Sequence, residues 1–179
     1  KWVHDNIAKV SEQSDGKIGY LHIPDMGVGG LNEFAKYYYP QLRKEGLIID
    51  VRGNGGGNVS PMIIERLMRQ LTYMTMHTGQ QEGDPNPVGM HIGPKVTLLD
   101  KYSASDGDLF PYRFQVNKIG KTIGTRSWGG VVGYSGAISL IDGGSIVTPS
   151  YAPYDKDGKE FIIEGRGVVP DIIIENDPA

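Results

Sequence analysis

A chain of 179 residues, 39% hydrophobic and 22% charged, has the makeup of one globular domain, long enough to bury a core without disulfides or metal. Its formal net charge of -3, with no cluster of Lys and Arg, excludes the concentrated positive field that a nucleic-acid partner requires. Zero cysteines exclude thiol catalysis, thiolate metal sites and disulfides, leave the compartment open, and no apolar run approaches the roughly 20 residues of a bilayer span.

Trp2, Val3, Ile7 and Val10 recur at near-helical spacing until Asp15-Gly16 breaks the pattern, which predicts a short leading helix. Ile18 to Ile23 has strand composition and stops at Pro24. Leu31, Phe34, Ala35 and Tyr38 then mark one helical face, ended by Pro40. Gly46 to Val51 is a near-continuous apolar run, the pattern of a strand covered on both faces, and it leads directly into Gly53-Asn54-Gly55-Gly56-Gly57. A helix follows, with Pro61 in its first turn and Ile63, Ile64, Leu67, Met68 and Leu71 on one face.

Residues 78–94 lack periodicity and read as a long irregular loop. Lys95 to Leu99 repeats the buried-strand pattern, and the turn at Ser103-Ala104-Ser105-Asp106 opens a helix with Leu109, Phe110 and Phe114. From Lys121 on, short β segments take over, with hairpin turns expected at Asp142-Gly143-Gly144 and Asp157-Gly158. The expected fold is α/β, with a mainly parallel central sheet and a β-rich C-terminal third.

In such sheets, sites gather at the carboxyl ends of the strands. The glycine run ending at Gly57 can present bare N–H groups to an anion or oxyanion, and it can equally be a plain tight turn. Its sequence lacks the Lys-Ser/Thr of a phosphate-binding loop. Ser105-Asp106 sits where a serine hydroxyl meets a helix N-terminus. That suits a nucleophile beside oxyanion donors, and it also suits an ordinary helix cap. A serine nucleophile needs a general base. None of His4, His22, His77 and His91 falls at a strand end aimed at Ser105, and Glu164, in a glycine-flanked apolar stretch, could orient a base or form a hairpin salt bridge.

The stretches Gly19 to Gly27, Leu31-Asn32-Glu33-Phe34, Ile48 to Arg52 with Asn54-Gly55-Gly56-Gly57, Ser105-Asp106-Gly107-Asp108, and Gly124-Thr125-Arg126 with Trp128 to Gly133 resemble, in order and over nearly the whole chain, the tricorn-type core proteases. These belong to one superfamily with the C-terminal processing peptidases. The resemblance implies the superhelical β-β-α architecture shared with the Clp protease subunit and crotonase. It also implies a serine peptidase without metal or cofactor, acting on peptide substrates. In it, Ser105 is the nucleophile, the amides of Gly57 and Asp106 form the oxyanion hole, and Glu164 is the catalytic glutamate.

The tricorn-type base is a histidine contributed by an earlier domain, beyond a PDZ-like one. Residues 1–179 are accordingly expected to be a single nucleophile-bearing domain of a longer multidomain protease, with those domains as partners and a homo-oligomer compatible with the whole. The processing-peptidase branch uses a lysine base instead, and Gly130 stands where that lysine is expected, which disfavours a Ser-Lys mechanism. The family's acidic determinant of basic preference maps to Tyr73-Met74-Thr75, which contains no carboxylate, so that preference is not expected here. Two other classes are a degenerate peptide-binding scaffold and a crotonase-like acyl-CoA enzyme. An intact Ser105 speaks against the first, and coenzyme A binding would mark the second.

Overall fold

The computed structural model describes residues 1–175. A leading helix, α1 (Trp2–Gln13), is followed by β1 (Ile18–His22), α2 (Val28–Tyr38), a 3-10 turn at Tyr39–Gln41, β2 (Gly46–Asp50) and α3 (Ser60–Leu67). A short hairpin of β3 (Tyr73–Thr75) and β4 (Asp84–Asn86) precedes β5 (Lys95–Leu99), α4 (Asp106–Val116) and β6 (Gly120–Gly124). The C-terminal third holds β7 (Gly133–Tyr134), β8 (Ile138–Ser139), β9 (Ser145–Ile146), β10 (Pro149–Tyr151) and β11 (Ile172–Ile173).

The central sheet has the order β1-β2-β5-β6-β11, and every neighbouring pair is parallel. The order never reverses, so no switch point opens a crevice. The cleft has to come from the turns themselves. Sheet residues Leu21, Leu47, Ile49 and Leu99 share one apolar cluster with Phe34 and Tyr38 of α2, Ile63 and Leu67 of α3, and Phe110 and Phe114 of α4. Each such side chain contributes roughly 1.5–3 kcal/mol on burial, which fixes the helices against the sheet and the sheet's carboxyl edge with them. The outer edge of β1 is closed by a side chain. Gln41 accepts the Tyr20 amide at 2.9 Å and donates to the Tyr20 carbonyl at 3.0 Å, satisfying edge groups that would otherwise invite another strand.

The stretch 78–94 differs from its expected irregularity, because β4 pairs antiparallel with β3 inside it. Asp84-Pro85-Asn86 consists of residue types depleted in strands, which hid the element from composition. Arg43 pairs with Glu82 and Asp84 at 2.8 Å each on the exposed side of this hairpin. The expected turn at Asp142-Gly143-Gly144 joins β8 to β9, and Asp157-Gly158 lies between the bridge partners Tyr154 and Phe161.

One buried polar residue sets an acid limit on this fold. His91 is 2% exposed, and neither ring nitrogen has a hydrogen-bond partner among the described residues. Burial, then the neighbouring Lys95 charge, holds its pKa below the ordinary histidine value. The folded ring therefore stays neutral where the unfolded one, titrating near 6.5, takes up a proton. The resulting stability is complete above about pH 6.5 and is lost as pH falls toward the lower folded value. His91→Leu is expected to flatten the fall in Tm between pH 7 and 5. Parallel Tm curves for the two proteins would refute this assignment.

Candidate active site

β2 and β5 are adjacent and parallel, so the turns that follow them leave at one edge of the sheet. They meet there. A Cβ placed on Gly56 would lie 2.6 Å from Ser105 Cβ, 2.9 Å from the Ala104 carbonyl and 3.0 Å from the Asp106 amide nitrogen. Only glycine permits that approach, at a φ of +107°.

Asn54 ties the two turns together. Its side chain is fully buried, donating to the Ile23 carbonyl and accepting the Gly56 amide, both at 2.9 Å. Its own carbonyl accepts the Ala104 amide at 2.9 Å. Met26, past the end of β1, pairs with Gly57 as an isolated parallel bridge, in which Met26 bonds to the Gly56 carbonyl at 2.8 Å and the Asn58 amide at 2.7 Å. That register leaves the Gly57 amide turned away from Met26, without an acceptor among the described residues. Arg52, the cation beside this loop, folds back onto buried Asp50, with Nη2 to Oδ2 at 2.5 Å. The positive potential at the turn therefore comes from backbone amides.

Ser105 precedes the first residue of α4 with φ +55° and ψ -123°, a region costing a non-glycine residue about 1–3 kcal/mol. Its side chain makes no capping bond, so the ordinary cap reading is not what the geometry shows. The residue is exposed while Asp106, Gly107 and Asp108 behind it are buried. Asp106 does cap a helix, but a different one. Its carboxylate accepts the Ser60 amide at 2.9 Å and the Ser60 hydroxyl at 2.5 Å at the start of α3, and pairs with Arg113 at 2.9 Å. The Asp106 backbone amide, like that of Gly57, has no acceptor among the described residues.

Glu164 follows Ile163, whose φ of +46° is unusual for a β-branched side chain. Its carboxylate forms no salt bridge among the described residues. One carboxylate oxygen, Oε2, accepts the amides of Val131 at 2.7 Å and Val132 at 2.8 Å. Gly130, just before them, accepts the Ser105 amide through its carbonyl at 3.0 Å, so Glu164 and Ser105 are joined through three consecutive residues. Position 130 does lie against the serine, and a side chain there would run into the Trp128 ring.

The four histidines sit elsewhere. His4 contacts the Tyr37 hydroxyl at 3.1 Å, and His22 Nε2 lies 3.2 Å from the Arg52 carbonyl. His91 is buried beside Tyr38, whose hydroxyl accepts its backbone amide at 3.0 Å, and His77 stands exposed after β3. None is hydrogen-bonded to Ser105 or Glu164. Near β3, Asp84 faces Thr75 across the hairpin, a carboxylate that the stretch Tyr73-Met74-Thr75 did not reveal, and Arg43 neutralises it. Asn54 and Asp108 were missed as site-building residues. Their position inside two glycine-rich motifs was the available signal.

A parallel sheet, a glycine-rich turn meeting a second turn at its carboxyl edge, and an exposed serine held at positive φ describe a serine-type peptidase domain. The chain belongs to peptidase family S41, which matches residues 17–174. It is 47% identical over 178 residues to a "Tricorn protease" of Thermoplasma volcanium, covering 99% of this chain and 17% of the relative. To "Tricorn protease homolog 1" of Streptomyces coelicolor it is 35% identical, covering 99% of this chain and 16% of that protein. The solved tricorn protease superposes with a TM-score of 0.89 at 43% identity, over 97% of this chain and 17% of that one. A photosystem II D1 C-terminal processing protease shares the fold at a TM-score of 0.63 and 18% identity, over 88% of this chain and 42% of its own. The chain thus spans about a sixth of the length of the tricorn relatives it matches.

Proposed function

We propose that this domain supplies the nucleophile and oxyanion hole of a serine peptidase whose base lies in another part of a longer protein. The observation that carries this reading is Gly56 packed against Ser105, with the Gly57 and Asp106 amides on either side left without acceptors among the described residues. Ser105 Oγ attacks the scissile carbonyl carbon as a histidine base takes its proton, and the carbonyl oxygen becomes an oxyanion held by the two amides. Collapse breaks the C–N bond, the base returns the proton to the leaving amine, and water then hydrolyses the acyl-serine ester. Glu164 supports the site through the segment it holds. Peptide substrates, a PDZ-like domain and a histidine-bearing domain are the proposed partners.

Without a base, a serine hydroxyl loses most of its reactivity at neutral pH. Residues 1–179 alone are therefore expected to hydrolyse fluorogenic peptides no faster than a Ser105→Ala control, while a longer form containing the preceding domains turns them over. Ser105-dependent turnover by the 179-residue chain would place the base within it and overturn the split-site reading.

A further inference from the structure

Asp108 is fully buried on the first turn of α4, and no basic side chain pairs with it among the described residues. Such a carboxylate carries a large desolvation cost unless hydrogen bonds and local dipoles offset it. Both are present. Oδ1 accepts the Gly129 amide at 2.8 Å and Oδ2 the Gly130 amide at 3.2 Å, and the helix N-terminus favours negative charge at this position.

The next two amides, Val131 and Val132, go to Glu164. Four consecutive N–H groups, none within a helix or strand, are thus held by two carboxylates. The carbonyls of the same stretch are used as well: Gly129 accepts the Gly165 amide at 2.7 Å and Gly130 accepts the Ser105 amide at 3.0 Å. Residues 129–132 form a clamp with Asp108 at one end, Glu164 at the other, and the backbone of Ser105 attached between them.

We propose that Asp108 is a positioning residue for Ser105, acting through Gly130 to hold the serine in its positive-φ conformation and in register with Glu164. It does not touch substrate. Its carboxylate form is required because both oxygens must accept. In Asp108→Asn the shape is kept, but the new NH2 group faces a backbone N–H, leaving two donors opposed and unpaired in a buried place. The clamp slackens at Gly130, and the serine with it.

This inference rests on the peptidase reading, and its test separates the two. Asp108→Asn is made in a longer form of the protein that turns over peptides, beside Ser105→Ala. The expected result is a fall in kcat of roughly 10- to 100-fold with KM held within about threefold, since a displacement of about 1 Å at a nucleophile costs on the order of 100-fold. Hydrogen exchange at the amides of 129–132 should accelerate while β2 and β5 remain protected. That pattern distinguishes a local positioning loss from a smaller folded fraction, which would loosen the core strands too.

In the unmutated protein, the same four amides should already exchange more slowly than those of Thr78, Gly79, Gln81 and Glu82 in the exposed turn of the β3–β4 hairpin, a reading that survives even if Asp108→Asn fails to fold. A folded Asp108→Asn protein with kcat within threefold of wild type, or exchange at 129–132 as free as in that turn, overturns the inference. Turnover that persists in Ser105→Ala overturns the peptidase reading instead.

Discussion

Ser105→Ala is expected to lower peptide turnover by roughly 10⁴- to 10⁶-fold in any form of the protein that cleaves peptides, the range observed when a member of a serine-peptidase catalytic unit is removed. The prediction is strong because the structure gives the hydroxyl nothing else to do. It is exposed, makes no capping bond and takes no part in packing, so its removal leaves the clamp, the turns and the core in place. Tm and KM should therefore remain close to the unsubstituted values, alanine tolerating φ +55° no worse than serine. Steady-state kinetics with a thermal scan on the same preparation checks both halves. Retained turnover would mean that another residue is the nucleophile, and a large drop in Tm would mean that Ser105 is structural.

Much of the architecture was legible because its signals are local. The runs Gly46 to Val51 and Lys95 to Leu99 are mostly apolar, and strands covered on both faces write themselves that way. With those strands adjacent, the meeting of the Gly57 and Ser105 turns follows from the rule that parallel neighbours end at one edge. The β3–β4 hairpin was not legible. Asp84-Pro85-Asn86 has turn composition, and its ion-pair partner Arg43 lies about forty residues away in sequence.

The working parts of the site were hidden for a related reason. Sequence could nominate Ser105, Gly57, Asp106 and Glu164, but not what each touches. Asp106 turned out to bind the start of α3 with its side chain while its amide stays free, and Glu164 to hold two amides with a single oxygen. Asp108 acts through the distant amides of Gly129 and Gly130, and Asn54 through the distant Ile23 carbonyl as well as Gly56 of its own loop, and no spacing within one motif encodes the distant contacts. Polar residues buried to this degree are expensive unless satisfied, so an Asn or Asp inside a glycine-rich motif is a sign that it fastens one segment to another.

Gly56→Ala should also be strongly damaging, though less so than loss of the serine, and for a different reason. The glycine holds φ +107°, which an L side chain rarely adopts, and the added methyl would face Ser105 Cβ at 2.6 Å and the Asp106 nitrogen at 3.0 Å. Neither neighbour can yield cheaply. Ser105 is fixed by Gly130, Ala104 by Asn54, and Asp106 by Ser60 and Arg113. The two turns must then separate, and with them the amides of Gly57 and Asp106, which have to lie about 3 Å from one oxygen position to stabilise an oxyanion. Losing one such donor costs about 10²- to 10³-fold in kcat, and that is the expected loss here. Gly55→Ala is the matched control in the same loop, because nothing lies within 4 Å of its Cβ position and its φ is ordinary. It should retain most of the activity. Affinity for a peptide boronate, whose tetrahedral adduct places an oxygen in the hole, should fall in Gly56→Ala far more than affinity for the cleaved peptide product. If the two alanine variants lose activity equally, close approach of the turns is not what builds the oxyanion site.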